Sequence, residues 1–197
     1  LPFENFFVAH DILNQIVKKE NISNLLVISP DMGAMERARY YAEILNSDVG
    51  VFYKRRDLSK VIDGKNPIVE HVYLGTPVRG KDIIVVDDMI ATGSSMIEVA
   101  TYLKEHGARK VYLVSTFALL TEGPSVFIEA YQKGLFDKLY STNLSFVSEV
   151  IKEEEWYEEV DCSKRLSCII EKLHNKESLK TIYDDVEEVL KNVERKK

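Results

Sequence analysis

The stretch from Ile83 to Met96, IIVVDDMIATGSSM, constrains this chain more than any other part of it. Ile83, Ile84, Val85 and Val86 are four β-branched residues in succession with no polar alternation, the pattern of a strand covered on both faces in the middle of a parallel sheet. Asp87 and Asp88 then fall at the carboxyl end of that strand, the edge at which open α/β sheets bind ligands. Ala91, Thr92, Gly93, Ser94 and Ser95 are small enough for backbone N–H groups to close on a phosphate, and the amphipathic stretch Ser94 to His106 places a helix N-terminus behind them. One turn could therefore hold both ends of a phosphorylated ribose, with carboxylates on vicinal hydroxyls and amides on the dianion. The competing reading is an Asp-Asp strand end that only caps the following helix.

The rest of the chain alternates helix and strand. Asp11 to Glu20 reads as a helix with Ile12, Leu13, Ile16 and Val17 on one face, ahead of a strand at Leu25 to Ile28. Glu36 to Leu45 is the next helix and Val49 to Tyr53 the next strand; Lys54 to Lys65 is polar, and Pro67 to Leu74 has the makings of a short strand. After the central strand come the helix Ser94 to His106, Gly107 as its stop, and a strand from Val111 to Ser115. Gly123-Pro124 opens a helix to about Tyr131, Lys138 to Ser141 is a short strand, and helices follow over about Ser163 to His174 and Leu179 to Val193. Glu153 to Glu155 with Glu158 and Glu159 read as an acidic, solvated face. Repeated strand-helix-strand units predict an α/β domain, a parallel sheet flanked by helices.

Composition narrows the function classes. A net charge of −6 gives no support for nucleic-acid binding. No apolar run approaches the roughly 20 residues that cross a bilayer, and the first residues lack a signal-peptide pattern, so a cytoplasmic protein with no membrane partner is expected. Cys162 and Cys168 have neither CxxC nor disulfide-framework spacing and read as reduced thiols, with Cys168 on a buried face beside Leu166, Ile169 and Ile170. His10, His71, His106 and His174 form no HExxH-type metal pair, and neither GxGxxG nor GxxxxGK[ST] is present.

Ile83 to Met96 closely resembles the phosphoribosyl-diphosphate (PRPP) binding motif of type I phosphoribosyltransferases and PRPP synthases. Three further segments favour the synthases. Ser29-Pro30-Asp31-Met32-Gly33-Ala34-Met35-Glu36-Arg37-Ala38-Arg39 resembles their Ser-Pro-Asp-x-Gly-Gly-x-x-Arg-Ala-Arg pattern. Lys54-Arg55-Arg56 resembles the Lys-x-Arg that begins their mobile catalytic loop, and Ser115-Thr116 to Gly123-Pro124 and Ser141-Thr142-Asn143 follow in the synthase order. Leu1 to Phe7 resembles the middle of a full synthase, so the resemblance implies that residues 1–180 are its second-half domain, 181–197 a C-terminal helical extension, and that an upstream half is missing.

The activity the resemblance implies is transfer of the β,γ-diphosphoryl group of ATP to the anomeric hydroxyl of ribose 5-phosphate, releasing AMP. Lys54 and Arg56 would supply catalytic positive charge with Arg55 as a helper; Asp87, Asp88, Ala91, Thr92, Gly93, Ser94 and Ser95 would bind ribose 5-phosphate; Asp31 would be a ligand of Mg²⁺, a hard cation that selects carboxylate oxygen. A homo-oligomer is implied. Arg37 and Arg39 read as partners of surface acids rather than as ligand contacts. Three departures stand out: Ala91 in place of a third acid, Ala34 in place of a second glycine, and Phe117 in place of a histidine. They leave a non-catalytic regulatory subunit or sugar-phosphate sensor as one alternative; a base-specific phosphoribosyltransferase is the other.

Overall fold

The computed structural model describes residues 6–56 and 68–183. Its first strand, β1 (Leu25–Ser29), follows helix α1 (Ala9–Lys19) and leads into α2 (Met35–Leu45). Strand β2 (Asp48–Arg56) lies parallel to β1 on one side, and the central strand β4 (Asp82–Ile90) lies parallel to it on the other. Strand β3 (Ile68–Leu74) runs antiparallel to β2 at the sheet edge. Beyond β4 come β5 (Lys110–Ala118), β6 (Lys138–Thr142) and β7 (Tyr157–Val160), all parallel, giving the order β3-β2-β1-β4-β5-β6-β7. Helices α3 (Ser94–Glu105) and α4 (Ser125–Gln132) cover one face; α1 and α2 cover the other, where α6 (Ser163–His174) begins. Short α5 (Glu149–Lys152) precedes β7, and a 3₁₀ turn spans Lys180–Tyr183. The expected α/β class with a helix-flanked parallel sheet is what forms. Among the described residues no helix is long and apolar enough to cross a membrane.

The unalternating strands are explained by two cores. Leu26, Ile28, Ile83, Val85, Val111 and Leu113 pack towards α3 and α4, while Val27, Ile84, Val86, Tyr112 and Val114 pack towards α1 and α2, so successive strand residues are buried on opposite faces. The chain leaves β1 in one direction to build β2 and β3, and in the other to build β4 to β7. The β1/β4 seam is therefore the topological switch point, and its carboxyl end is the crevice where such sheets take ligands.

Three expectations are corrected here. The acidic run is not simply a solvated face: Tyr157 to Val160 is a strand, with Trp156, Tyr157 and Val160 buried, and Glu158 and Glu159 set against Lys138 and Lys152. Cys168 is only half-buried, and its neighbours Leu166 and Ile170 are exposed; Cys162 is the buried thiol, and both are free. Strand β2 continues three residues past Tyr53, so Lys54, Arg55 and Arg56 are its last residues, with backbones paired to His71, Glu70 and Ile68. Their side chains, segment 57–67 and the helix expected after Tyr183 lie outside the described residues.

Ser141-Thr142-Asn143 serves the fold. Thr142 donates its hydroxyl to the Thr116 carbonyl at 2.6 Å, tying β6 to β5. Asn143 donates to Asp161 Oδ1 at 2.7 Å and Ser163 Oγ at 3.0 Å, and its own Oδ1 accepts from the Cys162 amide at 2.9 Å. Asn143→Ala removes all three bonds and is expected to cost roughly 1–2 kcal/mol, seen as a lower melting temperature with sugar-phosphate affinity unchanged.

Candidate functional site

The site is assembled from the ends of β1 and β4. After β1, Asp31 shapes the turn into α2: its Oδ1 accepts from the Gly33 amide at 2.8 Å and the Ala34 amide at 3.1 Å, while Ser29 Oγ donates to the Asp31 carbonyl at 2.7 Å. Asp31 thus orders the entry to the helix, as a capping carboxylate does, and remains exposed. Ala34 has φ −87° and is 2% exposed, so the departure from glycine there places no strain on the backbone.

At the end of β4 the two acids part. Alternation carries Asp87 towards the face of Val85 and Asp88 towards the face of Val86 and α2. Asp87 is half-buried and accepts the Asp88 amide at 2.8 Å; Asp88 is exposed, with Arg37 Nη2 at 3.7 Å from its Oδ2. Burial, with smaller contributions from the neighbouring acids Asp88 and Asp31, pushes the Asp87 carboxyl up to about 6. A half-buried acid with two acids near it is a site short of positive charge, and of hydrogen-bond donors such as hydroxyls.

The turn is braced from below and from the side. Gly93 takes φ +91° and is buried, and a Cβ there would lie 2.3 Å from Phe127 Cε2. Phe127 is itself wedged between Trp156, stacked at 5.5 Å, and Phe136, edge-on at 6.0 Å. The Ile90 and Ala91 carbonyls accept from the Leu119 and Thr121 amides, both at 2.9 Å. Thr92 Oγ1 lies 3.1 Å from Ser94 Oγ, and the helical ladder of α3 starts with the Ile97 amide on the Gly93 carbonyl at 3.0 Å. The Ser94 amide reaches Thr92 Oγ1 at 3.5 Å, and the first turn of α3 carries the positive end of its dipole.

Of the residues expected to act together, Asp31, Asp87, Asp88 and the turn Ala91 to Ser95 meet at the switch point. Arg37 and Arg39 both pair with exposed acids, Arg39 with Glu43 at 3.5 Å and Arg37 with Asp88 at 3.7 Å; that the second of these acids is a candidate site residue was not legible from sequence. Thr116 and Phe117, singled out in the sequence by resemblance but not placed in the site, are its neighbours. With Phe7, Arg37, Tyr40 and Asp88 they line a cavity of about 660 Å³ between the ends of β4 and β5 and helices α1 and α2. Among the described residues no group of three His, Cys, Asp or Glu side chains forms a ready metal cage.

A switch-point crevice with paired acids and a glycine-turned helix N-terminus on a parallel sheet defines the type I phosphoribosyltransferase class of α/β domain. Residues 4–139 match the phosphoribosyl transferase domain family. The ribose-phosphate pyrophosphokinase of Haemophilus ducreyi is 31% identical over 185 residues, which cover 93% of this chain and 55% of that protein. That of Haemophilus influenzae is 32% identical over 189 residues, covering 93% and 56%. The crystal structure of a phosphoribosylpyrophosphate synthetase from Mycobacterium smegmatis shares the fold with a TM-score of 0.68 at 22% identity, over 86% of this chain and 51% of that one. The chain belongs to the phosphoribosyl transferase domain family, and over 93% of its length it is similar to these ribose-phosphate pyrophosphokinases. It spans about half the length of these relatives.

Proposed function

We propose that this chain forms the ribose 5-phosphate half of a ribose-phosphate diphosphokinase, which moves the β,γ-diphosphoryl group of ATP to the anomeric hydroxyl of ribose 5-phosphate and releases AMP. The observation that carries this reading is the meeting of Asp87, Asp88 and the Gly93 turn at the switch point, two acceptors for vicinal hydroxyls beside amides for a dianion. In this reading the first-turn amides of α3 hold the 5-phosphate, and the carboxylates fix the ring so that its anomeric oxygen meets the β-phosphorus in line. Both reactants are polyanions, so the step needs cations; Lys54 and Arg56, at the end of the strand two places from β4, are the residues assigned that role.

The donor chemistry also fits Mg²⁺. That ion is commonly held by one or two carboxylates together with substrate phosphates rather than by an all-protein cage, and Asp31 offers a hard, exposed carboxylate close enough to Asp87 to raise its pKa. Bound there it would neutralise diphosphate charge. ATP as a substrate and two free thiols favour the cytoplasm, and we assign a homo-oligomer on family grounds alone.

The test is AMP and PRPP formation from ATP, Mg²⁺ and ribose 5-phosphate by the full-length protein that carries this chain. Turnover is expected, and Lys54→Ala should lower it by about 100-fold or more with ribose 5-phosphate affinity little changed. A rise in melting temperature with ribose 5-phosphate but no AMP would make the protein a sugar-phosphate sensor instead. Consumption of PRPP that depends on an added base would make it a phosphoribosyltransferase.

A further inference from the structure

Arg37 and Arg39 lie on one helix two residues apart, so their side chains leave it about 200° apart. Arg39 turns to its own helix and meets Glu43 at 3.5 Å. Arg37 turns to the sheet, where its half-buried guanidinium stands 3.7 Å from Asp88. Its direction is set from β1: Asp31 orders the turn that starts α2, and Arg37 sits in the first turn of that helix. The 3.7 Å separation is an ion pair too long for a hydrogen bond. The charge is therefore delivered without an Arg37 hydrogen bond occupying an acceptor position on Asp88. Arg37 thus sets a cation against Asp88, which with Asp31 and Asp87 forms a group of acids that a sugar phosphate would have to approach with two negative charges of its own.

From this we infer that Arg37 is a positioning residue of the sugar-phosphate site: it holds the Asp88 carboxylate towards α2 and offsets the repulsion between the acids and an anionic sugar. The inference rests on the functional reading above. It predicts a dependence on charge rather than on shape, because one long ion pair asks only for a cation, whereas a forked hydrogen-bonded pair would demand arginine.

The experiment is calorimetric titration of ribose 5-phosphate into the protein, Arg37→Gln, Arg37→Lys, Asp88→Asn and Arg37→Gln/Asp88→Asn, with a melting curve for each. Arg37→Gln is expected to weaken binding about tenfold and Arg37→Lys to restore it to within about threefold. On the Asp88→Asn background the Arg37→Gln change should cost less than about twofold, because its partner is gone. The inference is overturned if Arg37→Gln binds as the unmodified protein does, if lysine restores nothing, or if the full tenfold loss persists without Asp88. Should the unmodified protein fail to bind ribose 5-phosphate, the functional reading falls, and the melting temperatures still decide the pair: additive shifts refute it and non-additive shifts of about 1–3 °C uphold it.

Discussion

Gly93→Ala is expected to lower stability by about 2–6 kcal/mol and to weaken ribose 5-phosphate binding more than tenfold. Two costs add. A non-glycine residue held at φ +91° carries roughly 1–3 kcal/mol of backbone strain. The new methyl would also lie 2.3 and 2.4 Å from Phe127 Cε2 and Cζ, and overpacking of this kind costs roughly another 1–3 kcal/mol. Phe127 cannot give way cheaply, because Trp156 and Phe136 hold its ring. The turn must move instead, and the first amides of α3 move with it. Thermal unfolding should show a fall of roughly 4–24 °C for a chain of this size, and titration calorimetry the lost affinity. Adding Phe127→Leu should recover the steric share and leave the backbone share. A Gly93→Ala protein that melts and binds as the unmodified protein does would show that this turn is not the phosphate cradle.

Asp87→Asn should have the opposite effect on stability and the same effect on binding. The Asp87 carboxyl is pushed up to about 6, chiefly by burial, from an ordinary value of 3.8. The folded state therefore holds a proton there more firmly than the unfolded chain does. That favourable contribution is complete below about pH 4 and is lost as pH rises through 6, so near pH 7.5 the unliganded protein bears the cost of a half-buried charge. A two-unit shift corresponds to about 3 kcal/mol; discounted for the solvent that reaches this partly exposed group, about 1–2 kcal/mol remains. The amide side chain keeps the shape of the carboxylate and removes its charge, so the variant should melt roughly 2–6 °C higher at pH 7.5 and show a flatter stability profile between pH 4 and 7. It should also bind ribose 5-phosphate about 10- to 100-fold more weakly, since hydrogen bonds to an ionised acceptor are the stronger kind. A lower melting temperature at pH 7.5 would refute this account of Asp87. The pairing of higher stability with lower affinity is what a site loaded with charge for its ligand should display.

Much of this was legible from local pattern. The run Ile83 to Val86, the acids after it and the small turn are contiguous, and the structure keeps them together as strand end, turn and helix start. The edge strand Ile68–Leu74 and the helix stop at Gly107, with φ +85°, also follow from local pattern. What escaped was hidden by composition or by distance. Glu153 to Glu155 before the strand, with Glu158 and Glu159 within it, masked β7, although Trp156 and Val160 bury the apolar side of that segment. Strands β4 and β5 run on to Ile90 and Ala118 because their pairing persists past the acids, which no propensity would suggest for Asp87-Asp88.

The sequence by itself determined the class, the family and the contiguous strand end, turn and helix start from Asp87 to Ser95 that form the candidate site, because strand periodicity, glycine turns and helix starts are written in windows of a few residues. Only the tertiary structure decided that the central strand runs on past Asp87 and Asp88 to Ile90, that Phe127 lies under Gly93, and that Arg37 rather than Arg39 reaches Asp88. The last two relations join residues 34 and 51 positions apart. They depend on strand order and on where a helix lands across the sheet, and these are set by packing of the whole core rather than by any local window.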